Sequence, residues 1–67
     1  HIASLAEVGP QHEALLGRML GLAPRLMNEL GVVNGFRTVI NTGRDGGQEV
    51  PHLHMHVFGG PRPWHRG

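Results

Sequence analysis

The sequence predicts an α+β fold in which one long helix packs on an antiparallel sheet. Three observations lead there. Apolar residues recur at helical spacing through the first half of the chain. Two shorter segments, near residues 35–41 and 50–58, alternate with strand period. A glycine-rich run, residues 42–49, separates them, and strands joined by turn-forming sequence pair antiparallel.

The helix is expected over about residues 10–30. Leu16, Met19, Leu20, Ala23, Leu26, Met27 and Leu30 follow one another at steps that line a single face. Pro10 suits the first turn, where its missing N–H is not needed. Gly31 is placed to stop the helix, since glycine accepts the left-handed conformation that ends many helices. Pro24 is discordant: it deletes the bond to the Leu20 carbonyl and predicts a kink.

In the first strand, about residues 35–41, Phe36, Thr38 and Ile40 share one face and Arg37, Val39 and Asn41 the other. The second, about residues 50–58, carries His52, His54 and His56 on one face and Leu53, Met55 and Val57 on the opposite one. The run between them is longer than a common hairpin loop, and long ordered loops usually serve function. The tail, residues 59–67, has no periodicity, and neither an internal repeat nor a linker is present.

Sixty-seven residues allow one domain at most. A chain this short buries only about 60% of the surface it exposes when unfolded, so its core is marginal. Small domains compensate with disulfides, metals or a partner chain. The absence of cysteine excludes disulfides and thiolate zinc sites. No stretch approaches the roughly 20 apolar residues that span a bilayer, and no basic-then-apolar leader opens the chain. A soluble, cytoplasmic protein without a membrane partner is expected. The formal charge is only +1, lysine is absent, and the arginines are scattered, which argues against a nucleic-acid groove. The chain opens His1-Ile2-Ala3-Ser4, like the end of a strand entering a loop, so it is expected to be part of a longer domain.

Six histidines are the anomaly, and three of them alternate strictly. Along a strand such neighbours lie roughly 6.5 Å apart and the outer pair about 13 Å. A solvated strand face would explain one such histidine, but hardly three in step beside a glycine-rich loop. A metal needs imidazole nitrogens about 2.0–2.1 Å from one ion. The outer pair is badly spaced for that, and Glu49 is the one nearby carboxylate. Attack at phosphorus fits better. A neutral imidazole is a competent nucleophile, and a neighbouring imidazolium can protonate the leaving group. A P–N bond suits this arrangement, because an amine leaves readily only once protonated. No metal and no cofactor are required if imidazolium and backbone N–H groups neutralise the phosphate. Gly46, Gly47 and Gln48 are candidates to aim such N–H groups at an anion.

The motif His52-Leu53-His54-Met55-His56-Val57-Phe58 resembles the histidine-triad (HIT) superfamily. The longer pattern looks like its Hint branch, the histidine triad nucleotide-binding proteins. It comprises Asn41, then Asp45-Gly46-Gly47-Gln48, the triad, and Gly59-Gly60. The resemblance extends back through Gly35, the helix and His1-Ile2. It implies a HIT-like α+β fold whose N-terminal strands, ribose-binding acid and nucleoside pocket precede this segment. It also implies hydrolysis of purine nucleoside 5′-phosphoramidates through a covalent nucleotidyl-histidine. A homodimer with a sheet continuous across the interface goes with it. By position, His54 matches the nucleophile, His56 the residue that contacts phosphate and assists the leaving group, and His52 the supporting histidine. Asn41, Gly47, Gln48 and Glu49 match the phosphate-binding strand and loop. Histidine at position 56 is the hydrolase residue, where related nucleotidyl transferases carry glutamine. Gly59-Gly60 favours the Hint branch over dinucleoside-polyphosphate hydrolases.

Three positions depart from that pattern. Glu49 stands where some members have a phosphate-touching serine. Pro51 replaces an aromatic and belongs at a strand's start or edge. Pro61 interrupts the usual Gly-Gly-Arg, so Arg62 has no clear counterpart. Arg44 is a loop cation near the phosphate site, Trp64 a candidate to stack on a base or a partner subunit, and His12 and His65 surface residues. Two other functions stay open: a nucleotide-binding or regulatory module with little turnover, and a histidine-strand metal binder.

Overall fold

The computed structural model describes residues 2–61; His1, Arg62, Trp64 and His65 lie outside the described residues. Two 3-10 turns, Leu5–Glu7 and Pro10–His12, lead into helix α1, Glu13–Glu29. Strands β1, Phe36–Val39, and β2, His56–Gly59, follow and pair antiparallel, with Phe36 opposite Gly59 and Val39 opposite His56. The helix-and-sheet architecture is the expected α+β one.

Each turn near the N-terminus has its own cap. Ser4 Oγ accepts the Ala6 N–H at 3.2 Å. Pro10 opens the second turn, and His12 Nδ1 accepts the Gly9 N–H at 3.1 Å. His12 is therefore a capping residue rather than a plain surface one. Because His12 N–H bonds Gly9 O at 2.9 Å, residues 10–12 wind as a 3-10 turn and the α-helix begins at Glu13. The helix continues through Pro24 to Glu29. At its end Gly31 takes φ +75°, its N–H bonds Asn28 O at 3.1 Å, and Val32 N–H reaches Met27 O at 2.9 Å. That pair of bonds is the Schellman termination, which satisfies two otherwise orphaned carbonyls.

The core is small. Among the described residues only Ala23, 1% exposed, and Met27, 7%, are buried, with Leu16 and Met19 half-buried beside them. Leu20, Leu26 and Leu30 belong to the predicted stripe yet are exposed, Leu30 at 72%. Leu30 is the C-cap residue, at the very end of the helix, and the other two lie on parts of a wide apolar arc that stay uncovered. At about 100° per residue, the apolar positions from Leu22 round to Leu20 cover roughly 160° of the helix. The buried pair, Ala23 and Met27, lies towards the Leu20 side of that arc, where Met27 meets Gly59 of β2. Leu15 and Leu22 stay exposed on one flank and Leu20 on the other.

Gly59 locks helix to sheet. A Cβ built on it would stand 2.5 Å from Met27 Sδ and 3.0 Å from Val32 Cγ1. The face of β2 that carries Gly59 and Val57 therefore meets α1, and the His56 face points away.

The ladder is shorter than the alternation predicts. Regular pairing covers four residues of each strand, not residues 35–41 and 50–58. β1 ends at Val39, so residues before His56 have no β1 partner. The bond from Leu53 N–H to Ile2 O at 2.8 Å ties them to the N-terminal segment instead. Pro51 sits at the centre of a three-residue turn closed by His52 N–H to Val50 O at 2.8 Å, which suits its fixed φ. Among the described residues no helix is long and apolar enough to cross a membrane.

Candidate active site

The three triad rings form a row. The centroids of His52 and His54 are 5.9 Å apart with planes at 67°, and those of His54 and His56 are 5.0 Å apart at 80°. Period-two alternation thus brings the rings together even where no ladder pairs the backbone. Phe58 extends the row, 6.1 Å from His56 with planes only 21° apart. Across the sheet, Val39 opposes His56 and Arg37 opposes Phe58. Directly opposite side chains emerge on the same face, so Arg37 brings a cation to the end of the row. His52 is exposed, and His54 and His56 are half-buried.

His54 Nδ1 lies 2.8 Å from the His52 carbonyl oxygen. A carbonyl can only accept, so Nδ1 is the donor and carries the hydrogen. In the neutral ring Nε2 then holds the lone pair. The backbone of the first histidine sets which nitrogen of the second is nucleophilic.

The glycine-rich loop closes on itself. Gly47 N–H donates to Arg44 O at 3.1 Å and Gln48 N–H to Gly43 O at 2.9 Å, with Gly43 and Gly47 both at positive φ. Two N–H groups expected to face an anion are spent on turn bonds instead. Gly46 packs so closely against the Thr42 backbone that no side chain fits. Gln48 is the hub. Its Oε1 accepts the Gly43 N–H at 2.8 Å, and its Nε2 donates to Ala3 O at 2.7 Å and Val50 O at 2.8 Å. The His52 oxygen is a further 3.5 Å contact of Nε2. Its side chain thus points into the backbone rather than towards a ligand. Glu49 is exposed, and Asn41, two residues beyond the end of β1, is half-buried. Arg44 and Asp45 form an exposed pair at 3.2 Å. Among the described residues no three histidine, aspartate or glutamate side chains are grouped so that they could hold a metal ion.

A family model for the HIT domain matches residues 1–62, which include the histidine row and the glycine-rich loop. The chain belongs to the HIT domain family. Protein HitA of Neisseria gonorrhoeae is 49% identical over 61 residues, which are 91% of this chain and 57% of HitA. The purine nucleoside phosphoramidase of Escherichia coli (strain K12) is 43% identical over 60 residues, 88% of this chain and 50% of that enzyme. A HIT family hydrolase from Legionella pneumophila Philadelphia 1 superposes with a TM-score of 0.86 at 38% identity, covering 92% of this chain and 56% of its own. A histidine triad protein from Clostridium difficile gives a TM-score of 0.86 at 31% identity over 100% of this chain and 59% of its own. The chain thus spans about half the length of the curated relatives it matches, between 50% and 57% of each.

Within this HIT chain, sequence reasoning missed two residues that shape the site and the part played by a third. Phe58 and Arg37 were visible in the alternation, since each shares the parity of its strand's outward face. The hub role of Gln48 carried no local signal, because its partner Ala3 is 45 residues away.

Proposed function

We propose that the protein of which this chain is part hydrolyses purine nucleoside 5′-phosphoramidates, with the triad as its catalytic centre and in the manner of the Hint branch. The observation that carries this is the bond from His54 Nδ1 to the His52 carbonyl, which leaves the Nε2 lone pair for attack. The 43% identity to a purine nucleoside phosphoramidase supports the substrate class.

In the proposed reaction His54 Nε2 attacks phosphorus. A P–N bond to His54 forms as the substrate's P–N bond breaks, and His56 gives its proton to the departing amine. Water then attacks the adduct, passing a proton to His56. The nucleoside monophosphate leaves and His54 is restored. His52 supports the step through its carbonyl. Asn41 would stand opposite His54 if the β1–β2 register were extended by two residues, which suits it to hold a phosphate oxygen. In this scheme Gly47 shapes the phosphate loop and the Glu49 backbone N–H provides a donor. No cofactor takes part. The exposed leucines flanking α1 and the 84% exposed Val33 support a homodimer that covers them.

A second function is favoured by one observation. The Gly47 and Gln48 N–H groups turn inward, which leaves fewer donors for a transferred phosphoryl group and suits a nucleotide-binding module with little turnover. Rapid quenching of the intact protein with a purine phosphoramidate, followed by mass spectrometry, separates the two. A nucleotidyl adduct mapping to His54, with turnover lost by orders of magnitude in His54→Ala, supports the hydrolase. Tight binding with no adduct and no turnover supports the module, and turnover that persists in His54→Ala removes His54 from the mechanism.

A further inference from the structure

We infer that Gln48 is a positioning residue for the His54 imidazole, acting through the turn Val50-Pro51-His52 and not by touching a ligand. The inference rests on the proposed role of His54 as nucleophile. Gln48 Nε2 grips Val50 O at 2.8 Å, the same oxygen that accepts the His52 N–H at 2.8 Å. The turn is thus clamped at its first carbonyl. Its last residue, His52, presents its own carbonyl, two peptides on, to His54 Nδ1 at 2.8 Å, and Gln48 Nε2 lies 3.5 Å from that same oxygen. One side-chain amide therefore holds the first carbonyl of the turn and touches the last, the one that sets the tautomer.

The clamp is itself anchored on both sides. Oε1 accepts from Gly43, at the start of the loop, and Nε2 donates to Ala3, on the N-terminal segment. The same segment supplies Ile2 O, which receives the Leu53 N–H between the first two histidines. Upstream of β2 the Gln48 amide and the Ile2 bond both support the backbone around the first two histidines. A planar amide is required, because the position needs an acceptor and two donors at the end of one rigid group. Glutamate of the same length keeps the acceptor but sets an oxygen against the Val50 and Ala3 carbonyls. Methionine keeps the length and loses both functions.

The experiment is imidazole 15N spectroscopy of the intact protein at a pH where histidine is neutral, alongside steady-state kinetics with a purine phosphoramidate. In the unmodified protein His54 should show a single tautomer with hydrogen on Nδ1. In Gln48→Met the two nitrogens should move towards averaged values as both tautomers populate. The kcat should fall at least tenfold while KM changes less than threefold, and Gln48→Glu should behave alike. An unmodified His54 with hydrogen on Nε2 overturns the inference, a result that does not depend on either variant folding. So does an unchanged His54 spectrum in a folded Gln48→Met, whatever happens to its melting temperature. A rise in KM alone, with His54 unchanged, would make Gln48 a ligand contact instead and also overturn it. Absence of turnover in the unmodified protein would count against the hydrolase, while the tautomer measurement still decides the role of Gln48.

Discussion

Gly59 is the residue on which helix and sheet close, and adding one methyl group there has a cost that the structure lets one work out. In Gly59→Ala the new carbon would lie 2.5 Å from Met27 Sδ and 3.0 and 3.2 Å from the two Val32 methyls. Carbon and sulfur atoms in contact normally stand well beyond 3.4 Å, so something must move. Met27 is only 7% exposed and Val32 is held by the bond of its N–H to Met27 O, so neither yields freely. Overpacking of this kind costs about 1–3 kcal/mol. Replacing glycine by alanine regains about 0.4–1 kcal/mol by restricting the unfolded chain. The net loss is then between about 0 and 2.6 kcal/mol, or a fall in melting temperature of up to roughly 20 °C in a domain this small. Thermal unfolding followed by circular dichroism measures it. A double-mutant cycle with Met27→Val identifies the cause, because valine has no atom at the δ position. In that background Gly59→Ala should cost less than about half as much, a coupling within the usual range for touching residues. Equal cost in both backgrounds would refute the assignment of the clash to Met27, and a rise in stability from Gly59→Ala alone would refute the close approach itself.

Two further expectations concern parts of the chain far from one another. Gly31→Ala forces a Cβ into the left-handed region at φ +75°, which costs about 1–2 kcal/mol, and should lower the melting temperature by several degrees, with Gly31→Asn milder. Arg44→Ala removes an ion pair whose partners are 94% and 92% exposed, and should leave the melting curve unchanged within error.

What the sequence made legible was what depends on local period. The helix and the shared face of His52, His54 and His56 follow from spacing alone, because neither needs a distant partner to define it. The strand ends were not legible. Residues 50–55 alternate as well as residues 56–59 do, and only the point where β1 runs out decides which of them join the ladder. The core was overestimated for a similar reason. Periodicity marks every apolar residue on an arc, but the placement of the opposing sheet decides that Ala23 and Met27 are covered while Leu20 is not, and Leu30 stands at the C-cap, where the helix ends. The loop shows a third limit. Glycine at positions 43 and 47 signalled an unusual backbone, and both do take positive φ, yet the direction of the N–H groups depends on the Gly43 and Arg44 carbonyls that receive them.

The histidine row is fastened differently at its two ends. His56 is held by a backbone ladder, which almost any pair of strand-forming residues can supply. The His52 end hangs on a turn whose geometry relies on a particular proline and a particular glutamine. Mutational tolerance should therefore be lopsided across a motif that looks symmetric on paper. Random variants at Val57 or Val39 that stay β-branched should pass through a selection for folded protein unnoticed, whereas the neighbourhood of Pro51 and Gln48 offers few neutral steps. Over sequence drift, room to vary lies on the ladder side of His56, with the backbone of the first two histidines kept as a fixed point of reference.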